Sequence, residues 1–230
     1  MPFVVTDSLP IVFIEPDSIC RETLHTPQPT IPHLIEECNA SIERNTYSQA
    51  FAKCKQKLMQ RQLQKVVLSR RLQVKSQQPW NAEELFMQAC HNRTNSFIAL
   101  WTTPQTGTWL VATPEPLLRK QGDNYSTVAL AGTLPYDATN NKEPQWDNKN
   151  RQEQALVAHF IENQIRPISQ SLSHSACHTL HSGNIQHLCT DFAFKLSNSC
   201  NERLLLQHLH PTPAVCGLPQ ADALRAIIES

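Results

Sequence analysis

An excess of either charge is missing from this chain: twenty Lys and Arg stand against twenty Asp and Glu in 230 residues, a formal net charge of zero. No Lys/Arg run is long enough to form a patch, so the electrostatic grip on a nucleic acid or an anionic membrane is excluded and the expected ligand is small. The chain also lacks a C-x-x-C pair among its eight cysteines, Cys20, Cys38, Cys54, Cys90, Cys177, Cys189, Cys200 and Cys216. Such scattering argues against a zinc ribbon or redox dithiol and reads as reduced, mostly buried thiols. No stretch approaches the ~18 apolar residues of a membrane span, and the opening Met-Pro-Phe-Val-Val-Thr-Asp has no basic segment and no sustained apolar one. Together these absences predict a cytoplasmic protein without a membrane partner. One Ser/His-rich stretch with His174, Cys177, His178 and His181 imitates a metal site, but its spacing fits no familiar zinc pattern.

What is present is an alternation of helical and strand-like segments without internal repeats. The length allows one large domain or two small ones. We divide the chain into a proline-punctuated segment, 1–46, in which only Ile11 to Ile14 reads as a strand, and one domain over 47–230. Tyr47, Phe51, Cys54 and Leu58 share one face of a helix predicted over Tyr47–Gln64, which feeds a strand over Lys65–Leu72. Asn81 with Glu84 three residues on forms a capping box for a helix through Ala89. Phe97–Trp101 and Trp109–Ala112 flank a turn at Pro104–Gly107 and read as a β-hairpin. Further strands are predicted at Thr127–Ala131 and Ile185–Leu196, and amphipathic helices at Gln152–Ile165 and Ala221–Glu229. The fold class expected is α+β, with largely antiparallel sheets packed with helices.

Several residues sit where purely structural needs would not put them. Glu115 lies between Pro114 and Pro116 with apolar neighbours, which predicts a fixed, partly buried carboxyl of raised pKa, suited to a general acid. Glu153 precedes Val157, Phe160 and Ile161 by four, seven and eight residues and so shares the face of their apolar stripe. A carboxylate there needs a partner, either a nearby Lys or Arg or a divalent ion such as Mg2+. Lys65 opens its strand, where a lysine is usually a solvated edge charge; a general-base role requires the neutral amine, which only burial supplies. Ala131-Gly132-Thr133 is a small-residue turn able to meet an anion. His210-Pro-Thr-Pro-Ala-Val-Cys-Gly-Leu-Pro219 forbids a helix and holds His210 on a stiff segment.

In order and context these pieces resemble the chorismate-utilising enzymes: Lys65-Val-Val-Leu-Ser-Arg70, Ala112-Thr-Pro-Glu-Pro-Leu-Leu118, Ala129-Leu-Ala-Gly-Thr133, Lys149 to Val157, His187-Leu-Cys-Thr190 and Leu209-His-Pro-Thr-Pro-Ala-Val215. Within that family the chain is most similar to menaquinone-type isochorismate synthases, with a likeness running from about Tyr47 to the last residue. The resemblance implies an incomplete form of the chorismate-binding fold and a Mg2+-dependent transposition of a hydroxyl on chorismate. Lys65 would activate water, Glu115 would protonate the departing hydroxyl, Glu153 would hold Mg2+, Gly132 and Thr133 would line the carboxylate pocket, and Thr190 and His210 would contact the substrate. The lysine at position 65 favours water over ammonia, for which family members carry glutamine, and Ala131 disfavours the aminodeoxychorismate branch. A salicylate synthase and a non-catalytic remnant remain the alternatives, and isochorismate itself would serve either a menaquinone or a siderophore route. Two departures stand out. Asn150 and Gln154 replace the acid and histidine usual around Glu153, and the arginine, tyrosine and metal-binding glutamates expected downstream would fall past Ser230. The resemblance therefore implies a truncated form with impaired activity, monomeric by analogy.

Overall fold

The computed structural model describes residues 3–6, 9–13, 35–38, 40–71, 73–76, 79–93, 96–113, 115–136, 144–182 and 185–230. Strands β1 (Phe3–Thr6) and β2 (Leu9–Phe13) form an antiparallel pair. β2 contains the expected strand except Ile14, which lies outside the described residues. β3 (Ile35–Cys38) precedes helix α1 (Ala40–Met59), then β4 (Lys65–Val66) and β5 (Gln73–Ser76), which pairs with β3. Helix α2 (Ala82–Asn92) leads into the hairpin β6 (Phe97–Thr103) and β7 (Gly107–Thr113). There follow β8 (Arg119–Gln121), β9 (Asn124–Pro135), α3 (Asn148–Ile165), a 3-10 turn at Arg166–Ile168, β10 (Ser169–His174), β11 (His178–Ser182) and β12 (Ile185–Leu196). The chain closes with α4 (Glu202–Leu209), β13 (Gly217–Leu218) and α5 (Gln220–Ile228). Every strand pairing described is antiparallel, and the fold class is α+β as expected.

The principal sheet runs β10-β12-β9-β8, with β11 also on β12. Alternation along β9 and β12 puts Tyr125, Ala129, Phe192 and Phe194 on one buried face, where they meet Val157, Phe160, Ile161 and Ile165 of α3 and Leu205 and Leu209 of α4. The α3 residues recur at three, one and four, a stripe wide enough to cover a sheet. Each such side chain contributes roughly 1.5–3 kcal/mol by leaving water. Asp147 caps α3 by accepting from the Asn150 N–H at 2.8 Å, which starts the helix four residues before the sequence pattern does. Asn81 caps α2 through the N–H groups of Glu83 and Glu84, and its amide donates to the Glu84 carboxylate at 3.0 Å, a side-chain version of the expected box.

Two expectations need correction. The helix predicted from Tyr47 begins at Ala40, so the division at 46/47 falls inside α1. Its covered face holds Ala50 and Cys54, while Phe51 is 52% exposed; among the described residues the cover of α1 comes from the side of α5. The strand expected over Lys65–Leu72 is two residues long, since its partner is only Gly217–Leu218, closed by Pro219, which has no N–H to offer. The chain bends out after the Val67 N–H donates to the Cys216 carbonyl at 2.7 Å.

Candidate active site

Lys65 stands at the start of β4, and its position is fixed by β13. Gly217 lies so close that an added Cβ would sit 2.2 Å from the Lys65 carbonyl oxygen and 2.8 Å from the Ala223 Cβ. Its φ of +153° is also one that residues with a Cβ rarely adopt. The stiff Cys-Gly-Leu-Pro stretch therefore serves as the strand that places Lys65. From there the Lys65 side chain, only 11% exposed, reaches Glu153 in the second turn of α3, with Nζ 3.0 Å from Oε1. Glu153 thus meets a basic side chain, and that side chain is the candidate base itself.

Glu115 completes the group. It follows β7, half-buried, with its N–H donating to the Thr113 hydroxyl at 3.3 Å. Burial pushes its carboxyl pKa up, opposed by the positive charge of Lys65, so the two groups lie within electrostatic reach. The neutral, proton-bearing form of Glu115 is thus favoured relative to a solvated glutamate. Pro114 lies outside the described residues.

Gly132 marks a bulge in β9. Thr133 pairs with His187 and Ala131 with Leu188, leaving Gly132 as the extra residue at φ +75°. A Cβ here would come within 3.1–3.2 Å of the Asn150 side chain, so the glycine also lets the N-terminus of α3, with Glu153, approach the sheet. Across the bulge, His187 Nδ1 lies 3.0 Å from the Gly132 carbonyl and 3.1 Å from the Thr133 hydroxyl. A carbonyl only accepts, so Nδ1 carries the hydrogen, and in the neutral ring Nε2 is left as an acceptor. The motif around His187 gives that residue no role; its cross-strand register with Thr133 places it in the site. Only the strand pairing, which the sequence pattern does not fix, would have revealed it.

Thr190 is buried on the α3 face of β12, where its hydroxyl accepts from the Gln154 amide at 2.8 Å. That bond explains a polar pair inside the core beside Glu153, where each would be costly alone. His210 caps α4 in extended conformation, before a cis bond to Pro211, with its N–H donating to the Leu206 carbonyl. Its ring is exposed and makes no hydrogen bond or ion pair with the described residues. Lys65, Glu115 and Glu153 are thus brought together, Gly132 and Thr133 sit at the bulge against the start of α3, Thr190 backs the helix, and His210 stands apart.

For a hard divalent ion the site offers the Glu153 carboxylate, one-third exposed, with the Asn150 amide one turn earlier. One carboxylate completed by water and ligand oxygens is a donor set that Mg2+ accepts. These residues fit such an ion.

In this mixed α+β fold a nearly buried lysine paired with one glutamate and within electrostatic reach of a second, together with a glycine bulge, makes up the candidate site. Residues 15–230 match the family described as "Chorismate binding enzyme", and the chain belongs to that family. The match begins well before Tyr47. Isochorismate synthase MenF of Pasteurella multocida is 28% identical over 178 residues, covering 75% of this chain and 41% of that protein. Isochorismate synthase EntC of Escherichia coli is 28% identical over 202 residues, covering 85% of this chain and 52% of its own length. Among solved structures, a putative 2,3-dihydroxybenzoate-specific isochorismate synthase, DhbC from Bacillus anthracis, superposes with a TM-score of 0.73 at 26% identity, over 85% of this chain and 55% of that one. The chain spans about half the length of the relatives it matches. Among the described residues no helix is long and apolar enough to cross a membrane.

Proposed function

We propose that this chain acts on chorismate and converts it to isochorismate. The observation that carries the reading is the meeting of Lys65, nearly buried and 3.0 Å from Glu153, with Glu115, a glutamate held toward its protonated form. A hydroxyl transposition needs one group to take a proton from water and another to give a proton to the leaving hydroxyl, and these two side chains divide that work. Lys65 must first leave Glu153 and give its ammonium proton to solvent; the neutral amine then takes a proton from water as the water oxygen bonds to C2 of the ring. Glu115 donates its proton to the C4 hydroxyl, which departs as water while the ring double bond shifts. Atoms balance without a redox step. Glu153 and Asn150 are the residues that would hold Mg2+, which when bound neutralises the ring carboxylate. Thr133 and the Gly132 backbone would bind that carboxylate's surroundings, and His187, with Nε2 free, orients the ring substituents. Thr190 acts behind α3 by holding Gln154, and His210 would reach substrate from the far rim.

The test is product analysis after incubating the purified chain with chorismate and Mg2+. Isochorismate alone supports the reading; salicylate with pyruvate would make the site a lyase; calorimetric binding without turnover would leave a binding remnant. In an active preparation, Lys65→Ala and Glu115→Gln should each lower kcat by about 10²–10⁴-fold. Activity should also fall as pH rises through the raised Glu115 pKa, because the ionised carboxylate has no proton to give.

A further inference from the structure

The His/Cys-rich stretch forms no site in the combination its sequence suggests, but the fold assembles a different one around His178. β10 and β11 lie consecutively along the same edge of β12, interrupted by a kink at Ser175–Cys177. The kink is pinned by two bonds to Asp191: the Ser175 N–H donates to the Asp191 carbonyl at 2.9 Å, and the Asp191 N–H donates to the Ser175 hydroxyl at 3.0 Å. Past the kink, His178 stands directly across from Cys189, and Asp191 is two residues on from Cys189, on the same face. One ligand atom from each of His178, Cys189 and Asp191 lies within 4.8 Å of the other two, and His178 Nε2 is 3.5 Å from Asp191 Oδ2.

The geometry points to a binding site for a borderline divalent ion of the Zn2+ type, held by His178 Nε2, Cys189 Sγ and an Asp191 carboxylate oxygen, with a fourth position left to water. Bonds of about 2.0–2.3 Å at tetrahedral angles separate ligand atoms by about 3.3–3.8 Å, so the side chains need to close by no more than about 1.5 Å. The imidazole is oriented for this. His178 Nδ1 lies 3.3 Å from the Ala176 carbonyl, which only accepts, so Nδ1 is the donor there, and in the neutral ring the Nε2 lone pair faces Asp191 and Cys189. A backbone carbonyl on the second ring nitrogen is the usual support of a ligating histidine. The donor set also selects the ion: sulfur and imidazole disfavour Mg2+ and Ca2+. On ligation Cys189 releases its proton to solvent, and the thiolate, the carboxylate and the dication sum to zero charge, which suits a fully buried sulfur. This site shares no residue with the Lys65, Glu115 and Glu153 group and stands whatever reaction that group performs.

Co2+ is the spectroscopic probe, read on the purified chain under reducing conditions. One equivalent is expected to raise a thiolate-to-Co2+ charge-transfer band with tetrahedral d–d bands, all displaced by Zn2+. Cys189→Ser should erase the charge-transfer band, while Glu153→Gln and Cys177→Ser should leave it. His178→Ala and Asp191→Asn, at exposed positions that the fold tolerates, should each weaken Co2+ binding at least about tenfold. Absence of the band, its survival in Cys189→Ser, or unchanged affinity in His178→Ala would overturn the site. If Cys189→Ser does not fold, the His178 and Asp191 variants decide the question.

Discussion

The sheet bearing α3 and the hairpin bearing Glu115 are built in opposite ways. In the first, β9 and β12 alternate cleanly into a core whose Phe192, Ile161 and Val157 are almost wholly buried. In the second, β6 and β7 pair in perfect register from Phe97↔Thr113 to Thr103↔Gly107, yet α2 buries no residue completely, and Phe97 and Trp109 are 65% and 50% exposed. The hairpin is held by local devices: Trp101 stacks on Trp109 at 6.4 Å, the Trp109 indole N–H donates to the Thr106 carbonyl, and Thr102 and Thr108 share a hydrogen bond. The lesson is a division of tasks. Residues that must be placed against each other to fractions of an ångström, Glu153 and the Gly132 bulge, ride on the packed sheet. Glu115, the proposed proton donor, sits where the chain leaves a locally stabilised ribbon.

The sharpest way to break that contrast is Phe192→Ala, which opens a cavity in the sheet core. Its expected cost is about 3–5 kcal/mol in denaturant unfolding, and a cost near zero would show that the core does not carry the sheet. Gly132→Ala should cost about 1–2 kcal/mol from the positive φ alone, and it should displace Asn150, measurable as weaker binding of chorismate and Mg2+ in calorimetry. On the other side, Trp109→Ala should cost about 1 kcal/mol or less, since the indole is half in water and loses mainly its stacking partner. The smallest effect belongs to pH. The Glu202 carboxyl is held down to about 2 by hydrogen bonds from Lys120 and then Tyr125. A depressed carboxyl contributes stability above its unfolded value near 4.5 and loses it as pH falls toward 2. Glu202→Gln should therefore lower neutral stability slightly, leave stability near pH 2 unchanged and so flatten the acid limb of the melting-temperature profile by the same small amount, the pair being largely exposed.

Where one face was buried, the pattern was legible. Ile185–Leu196 is read from alternation with the boundaries the structure has, and Val157, Phe160 and Ile161 report α3 through their helical spacing. The expected burial of Glu115 and the paired state of Glu153 follow from the same logic, a carboxyl among apolar neighbours. What resisted reading depended on partners far away in sequence. β4 is short because β13, some 150 residues later, is short, and among the described residues α5 covers α1 on the side away from Phe51. His187 enters the site only through its register with Thr133, and His178 finds Cys189 and Asp191 across a strand pair where its sequence neighbours Cys177 and His181 suggest a different set. Resemblance to a family supplied roles; it did not supply these contacts.

The contact between Lys65 and Glu153 also shapes what genetics at this site can report. Each residue is the other's counterion, so replacing Glu153 strands a nearly buried ammonium, and replacing Lys65 strands a carboxylate. The two losses are not independent. Single variants at either position overstate what that side chain contributes, and the pair Lys65→Met with Glu153→Gln should be less damaging to stability than the sum of its parts. Two positions 88 apart in the chain thus inherit as one, and a change tolerated at either depends on the state of the other.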